Sequence, residues 1–143
     1  MKRTILILTF LALTASPGYA LELTVAKGIA YTKSNLVQLS VSRTVKKQLK
    51  QAFSIGTFNN HHYIDSGLFV DYSGFQIGCN IALFTSVPGD VMNGNVQFKP
   101  NLSYQWPTPV GKLKVTYIHF SNGSTSYPNN GRDFLGLSLD RKF

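Results

Sequence analysis

The sequence predicts an all-β protein, an eight-stranded antiparallel transmembrane β-barrel of the outer-membrane kind, on three observations. An exportable leader stands at the N-terminus. Behind it come runs of about ten residues in which apolar and polar side chains alternate with period 2. The breaks after the second, fourth and sixth runs are short, and those after the fifth and seventh are longer, an asymmetry that outer-membrane barrels show between their two ends.

The leader is "MKRTILILTFLALTASPGYA", residues 1–20. Lys2 and Arg3 form its charged start, Ile5 to Ala15 its apolar run, and Gly18-Tyr19-Ala20 a small-x-small cleavage site. That is the pattern of a secretory signal peptide. The apolar run is too short for a membrane-spanning helix, which needs roughly 20 residues. Residues 21–143 are therefore expected to form one exported domain.

Within it, strands are predicted over 22–32, 35–45, 49–59, 62–72, 75–85, 92–106, 112–121 and 133–143. The fifth places Phe75, Ile77, Cys79, Ile81 and Leu83 on one face and Gln76, Gly78, Asn80 and Ala82 on the other. The sixth sets Met92, Val96, Phe98, Leu102, Tyr104 and Trp106 against Asn93, Asn95, Gln97, Lys99, Asn101, Ser103 and Gln105. A soluble sandwich would alternate as well. The even strand count, the leader, aromatics near strand ends and a polar second face favour a barrel with lipid outside. Two residues fit poorly. Lys27 falls on the apolar phase of the first strand, which predicts a bulge or register shift, and Pro100 predicts an irregularity in the sixth. An aromatic last residue, Phe143, matches the way outer-membrane strands end.

Composition narrows the class further. Charged residues make up 14% of the chain and Cys79 is its single cysteine, so no intramolecular disulfide staples the domain. Cys79 reads as a small lipid-facing hydrophobe. The formal charge of +8 falls by two when Lys2 and Arg3 leave with the leader. Much of the remainder sits in "RTVKKQLK" and "DRKF", read as solvated turns and termini, with anionic lipid as the functional alternative. An exported chain meets no nucleic acid. His61 and His62 read as a solvated loop, because no acid or cysteine cluster stands at metal-ligand spacing. Tyr104 and Trp106, beside "PTP", suit an interfacial aromatic belt.

Chemistry concentrates in "HFSNGSTSYPNNGRDF", His119 to Phe134. The outward phase of the seventh strand holds Leu113, Val115, Tyr117, His119 and Ser121. That of the eighth holds Asp133, Leu135, Leu137, Leu139, Arg141 and Phe143. His119, Ser121 and Asp133 thus fall on the lipid-facing surface, where unpartnered polar groups are costly. Residues i and i+2 have Cα atoms about 6.5 Å apart, within reach of an imidazole and a hydroxyl. Asp133 opens the neighbouring antiparallel strand and can approach the ring from the side. Such a trio can run nucleophilic acyl transfer: the ring takes the serine proton and the carboxylate fixes the ring's tautomer. Periplasmic termini would put the cluster at the outer-leaflet end.

The segment resembles the catalytic hairpin of the PagL-type lipid A 3-O-deacylases, eight-stranded outer-membrane barrels with a Ser-His-Glu triad on their outer surface. The shared motif reads His119, Phe120, Ser121, Asn122, then Pro128, Asn129, Gly131 and the acid at position 133. By this resemblance Ser121 is the nucleophile, His119 the general base and Asp133 the orienting acid. Asn129 is then an oxyanion donor, and Asn122 and Gly131 support the loop. The chain departs from the family in carrying aspartate for glutamate, one methylene shorter, and glutamate at 133 is expected to retain or raise activity. The implied substrate is lipid A of lipopolysaccharide in the outer leaflet of the bacterial outer membrane, losing an ester-linked 3-hydroxyacyl chain. No metal or organic cofactor is implied, and a homodimer is compatible with the sequence. The rival readings are a non-catalytic small barrel, an adhesin or structural protein, and a soluble periplasmic lipid-binding barrel.

Overall fold

A computed structural model describes residues 18–30, 32–86, 94–123 and 131–142. Eight strands follow one another: β1 (Tyr19–Ile29), β2 (Asn35–Lys46), β3 (Leu49–Phe58), β4 (His61–Tyr72), β5 (Phe75–Phe84), β6 (Val96–Thr108), β7 (Gly111–Phe120) and β8 (Arg132–Lys142). Each pairs antiparallel with the next, and β1 pairs with β8 from Ala20↔Lys142 to Ile29↔Asp133, closing the barrel. Closure leaves no sheet edge with unpaired backbone groups.

The connections divide the barrel into a turn end and a loop end. At the turn end, Lys47-Gln48, Ser73-Gly74 and Pro109-Val110 join strands in two residues each. Ser73 and Gly74 both have positive φ, 49° and 84°, the backbone of a tight hairpin whose twist matches its strands. The loop end carries the described residues 30, 32–34, 85–86, 94–95, 121–123 and 131, together with the short Asn59-Asn60 turn.

Several boundaries differ from expectation. β1 begins at Tyr19, which pairs with Arg43, so the ladder reaches two residues into the expected leader. β6 begins at Val96 rather than 92, and Met92 and Phe143 lie outside the described residues. No bulge occurs at Lys27, which pairs in unbroken register with Asn35 and Leu135. Its place near the loop end lets a long aliphatic stem carry the ammonium past the apolar belt. The register shift lies in β2 instead, between Thr44 and Lys46. Pro100 keeps register with β5, opposite Cys79, but lacks an N–H for the other side. Accordingly the β6–β7 ladder stops at Asn101↔Ile118 and resumes as a bridge, Phe98↔Ser121.

Inward and outward faces separate as the alternation predicts. Leu23, Val25, Ile77, Ile81, Leu102 and Leu137 expose their side chains on the outer wall, and Phe75 and Tyr104 stack edge to face near its turn end. Cys79 is exposed on this wall. His61 and His62 lie on β4, not in a loop, and His61 contacts the Ser86 hydroxyl at 3.0 Å. No metal-holding group of His, Cys, Asp or Glu occurs among the described residues.

The barrel interior has two zones. Towards the loop end, Phe58, Tyr63, Phe84, Phe120 and Phe134 form one buried cluster with Ala26, Leu36, Ala82 and Ile118. Towards the turn end the filling is polar. Lys99 bonds Asp65 and, at 2.7 Å, the Gln38 side-chain oxygen, while Lys114 pairs with Glu22 and Asp140. The Tyr63 hydroxyl donates to Gln38 at 2.8 Å and so ties the two zones together. The cavity left between Glu22, Thr24, Gln38 and Ser40 is about 30 Å³, room for water but not for a solute.

Candidate active site

Ile118 and Phe120 turn inward from β7 into the aromatic cluster, and so His119 between them points outward. On β8, Phe134 joins that cluster and Arg132 is buried as well, leaving Asp133 outward. The pairing of β7 with β8 then sets His119 directly opposite Asp133. Directly opposed side chains have Cβ atoms about 5 Å apart, a gap that aspartate can bridge. Asp133 Oδ1 lies 2.8 Å from His119 Nδ1. An ionised carboxylate only accepts, so Nδ1 carries the proton and Nε2 presents its lone pair.

Two further groups hold the acid. The Tyr117 hydroxyl donates to the same Oδ1. Tyr117 precedes the histidine by two residues, and its partner Leu135 follows the aspartate by two, so ring and carboxylate are diagonal neighbours on one face. From the turn between β1 and β2, Thr32 Oγ1 accepts the Asp133 backbone N–H at 3.0 Å. Neither residue was singled out from the sequence. Tyr117 was legible as an outward neighbour of the base. Thr32 was not, because only closure of β1 on β8 brings it there.

Ser121 follows His119 by two residues and pairs with Phe98, Phe98 N–H donating to Ser121 O at 2.6 Å and Ser121 N–H to Phe98 O at 2.9 Å. The Gly123 N–H donates to Ser121 Oγ at 3.1 Å, a contact that occupies a lone pair and not the hydroxyl proton. Gly131 has φ of 69°, and a Cβ there would stand 2.5 Å from His119 Cε1 and 3.2 Å from Nε2. Only glycine combines that backbone with that closeness to the ring. Asn122 is buried beside the serine. Asn129 and Pro128 lie outside the described residues.

The side chains of His119 and Asp133 are 32% and 27% exposed, and both belong to the outer wall. Access to the pair is therefore from beside the barrel. The arrangement can accept a proton at His119 Nε2 and stabilise the resulting cation through Asp133.

Comparison with known proteins agrees with this architecture. No curated protein matches the chain by sequence. Among solved structures, the crystal structure of the outer membrane enzyme PagL superposes with a TM-score of 0.72 at 15% identity, covering 87% of this chain and 99% of that one. A de novo designed transmembrane β-barrel gives 0.58 at 12% identity, covering 89% of this chain and 98% of that one. At such identities the likeness is one of fold. The sequence itself matches the family model described as lipid A 3-O-deacylase (PagL) over residues 8–142, and the chain belongs to that family.

Proposed function

We propose that this barrel is an exported outer-membrane serine esterase that removes an ester-linked 3-hydroxyacyl chain from lipid A. The observation that carries the reading is the His119–Asp133 hydrogen bond on the outer wall, in a member of a lipid A deacylase family. Residues 1–20 would act as the export leader. Termini in the periplasm would bring the loop end to the outer leaflet, where lipid A resides.

In this reading Ser121 Oγ attacks the ester carbonyl while His119 Nε2 takes its proton, and Asp133 stabilises the imidazolium. Collapse of the tetrahedral intermediate breaks the bond to the sugar oxygen, which takes the proton from His119 and leaves as the hydroxyl, and an acyl-enzyme remains. Water, deprotonated by His119, then releases the 3-hydroxy fatty acid. Asn129 is the proposed oxyanion donor, with Asn122 and Gly131 supporting the loop. Aliphatic side chains such as Leu135 and Leu137 would hold the remaining acyl chains and supply binding energy remote from the reacting ester.

The test is lipid A mass spectrometry from cells expressing wild type or Ser121→Ala, with heat-modifiable gel mobility to show that both barrels fold. Loss of one hydroxyacyl chain with wild type alone is expected. Identical profiles from two folded barrels would sink the reading and favour a non-catalytic barrel.

A further inference from the structure

We propose that the loop end of β1 and the turn behind it bind a phosphate monoester on the sugar headgroup of the substrate. The inference rests on the esterase reading and adds a subsite to it.

Lys27 is an exposed cation on an outer wall whose neighbours in phase are Val25, Ile29 and Leu135. Its register is unbroken, so the outward placement belongs to the fold. A lysine on a lipid-facing wall is costly unless its ammonium reaches the interface and its anions. Beside Lys27 lies a concavity of about 500 Å³, lined also by Thr32, Lys33, Ser34, Asn35 and Asn59. Two ammonium groups, hydroxyl and amide donors, and no carboxylate line it. That set suits a phosphate, a doubly charged acceptor of several hydrogen bonds.

The concavity has a fixed shape and a fixed relation to the acid. Gly28 N–H donates to Ser34 O at 2.6 Å, folding the turn back on β1, and a Cβ at Gly28 would collide with Thr32. Thr32, which lines the concavity, also accepts the Asp133 N–H. Ile29 pairs with Asp133, so Lys27 is one strand across and two residues along from the acid, a Cα separation of about 8 Å from ordinary strand spacings. The ester reacts at Ser121, the residue after β7, two strands across and four residues along from Lys27. That is a Cα separation of about 16 Å from the same spacings, which the extended lysine side chain and the sugar headgroup between phosphate and ester have to bridge together.

The experiment uses the full barrel in detergent micelles and two acylated glucosamine substrates, one with a phosphate monoester and one with hydroxyl in its place. Lys27→Gln/Lys33→Gln should raise KM for the phosphorylated substrate about tenfold, the size expected for two partly exposed charge contacts. It should leave kcat for both substrates and KM for the hydroxyl substrate unchanged, and Lys27→Arg/Lys33→Arg should restore most of the loss. Equal losses on both substrates, or none on either, overturn the subsite. So does competition by millimolar inorganic phosphate without any preference between the two substrates, which assigns the lysines to free phosphate. If wild type hydrolyses neither substrate, the esterase reading fails and binding decides. Titrating the Ser121→Ala barrel with phosphorylated lipid, with and without the lysine substitutions, then keeps the subsite if affinity falls only on losing the lysines and rejects it if affinity is unmoved.

Discussion

Two sets of charges in this barrel invite comparison, one sealed inside and one on the outer wall. Lys99 and Asp65, with 1% and 0% of their side chains exposed, sit in a polar interior where Gln38 and Asn80 satisfy their other valences. His119 and Asp133 are partly open on the lipid-facing side, where the carboxylate accepts from a histidine and a tyrosine while the Asp133 backbone N–H donates to Thr32 in the turn after β1. Burial of both charges against each other makes the first set a structural filling. Exposure with an unsymmetrical set of donors leaves the second able to exchange a proton with something that arrives. The same chemical classes thus do different work because of where the strand phase sends them.

Substitutions should separate the two sets, beginning with the largest effect. Asp133→Asn keeps shape but lets the amide N–H face Nδ1, favouring the wrong tautomer, and kcat should fall by about 10³–10⁴-fold with the urea midpoint unchanged. Lys99→Met should do the reverse. Stranding Asp65 in the interior costs about 3–5 kcal/mol, read as a lower urea midpoint, while the folded fraction keeps its kcat. Adding Asp65→Leu should recover most of that stability, since a well-packed apolar pair often replaces a buried ion pair without loss. Equal effects of Asp133→Asn and Lys99→Met on midpoint and kcat would erase the distinction.

A smaller but informative effect is expected at Gly131. Alanine there meets the imidazole edge and an unfavourable φ, so the ring must shift. Because a misplacement of about 1 Å can cost 10²-fold, kcat should drop by up to that factor. A matching drop in stability without loss of kcat would make Gly131 a loop residue alone.

The comparison also explains what the sequence disclosed. Strand phase is a property of each strand alone, so the outward placement of His119 and Asp133 and the inward placement of Lys99 were legible from alternation. The hairpin register that opposes His119 to Asp133 was nearly as legible, since the two residues flank one loop. Contacts made by barrel closure were not. Thr32 reaches Asp133 from a sequence separation of 101, and Lys27 looked like a register fault because an apolar-phase cation has no local explanation. The β6 start was misplaced because Met92 is in phase with Val96 and Phe98 in the sequence, whereas pairing with β5 begins at Val96. Tyr117 was overlooked for a different reason: an aromatic on an outward face is ordinary barrel wall, and its hydroxyl matters only once the acid is known to lie diagonally across.

That diagonal contact bears on the shorter acid. From sequence, glutamate at position 133 promised equal or higher activity, because it restores the family residue. The geometry argues otherwise, since Oδ1 already receives both Nδ1 and the Tyr117 hydroxyl across directly opposed positions. One more methylene would carry the carboxylate past the tyrosine or buckle it away from the ring. A hydrogen bond to a charged group contributes about 1.5–3 kcal/mol, and in a partly exposed site the lower end applies. Tyr117→Phe should therefore lower kcat about tenfold with KM unmoved, and Asp133→Glu should lower it by a similar factor. The double substitution separates the causes. If Tyr117 holds the short acid in place, Asp133→Glu should cost little more once Tyr117→Phe has been made, because the two changes remove the same contact. Fully multiplied losses would show that tyrosine and acid length act independently, and that Tyr117 contributes to the wall rather than to the acid.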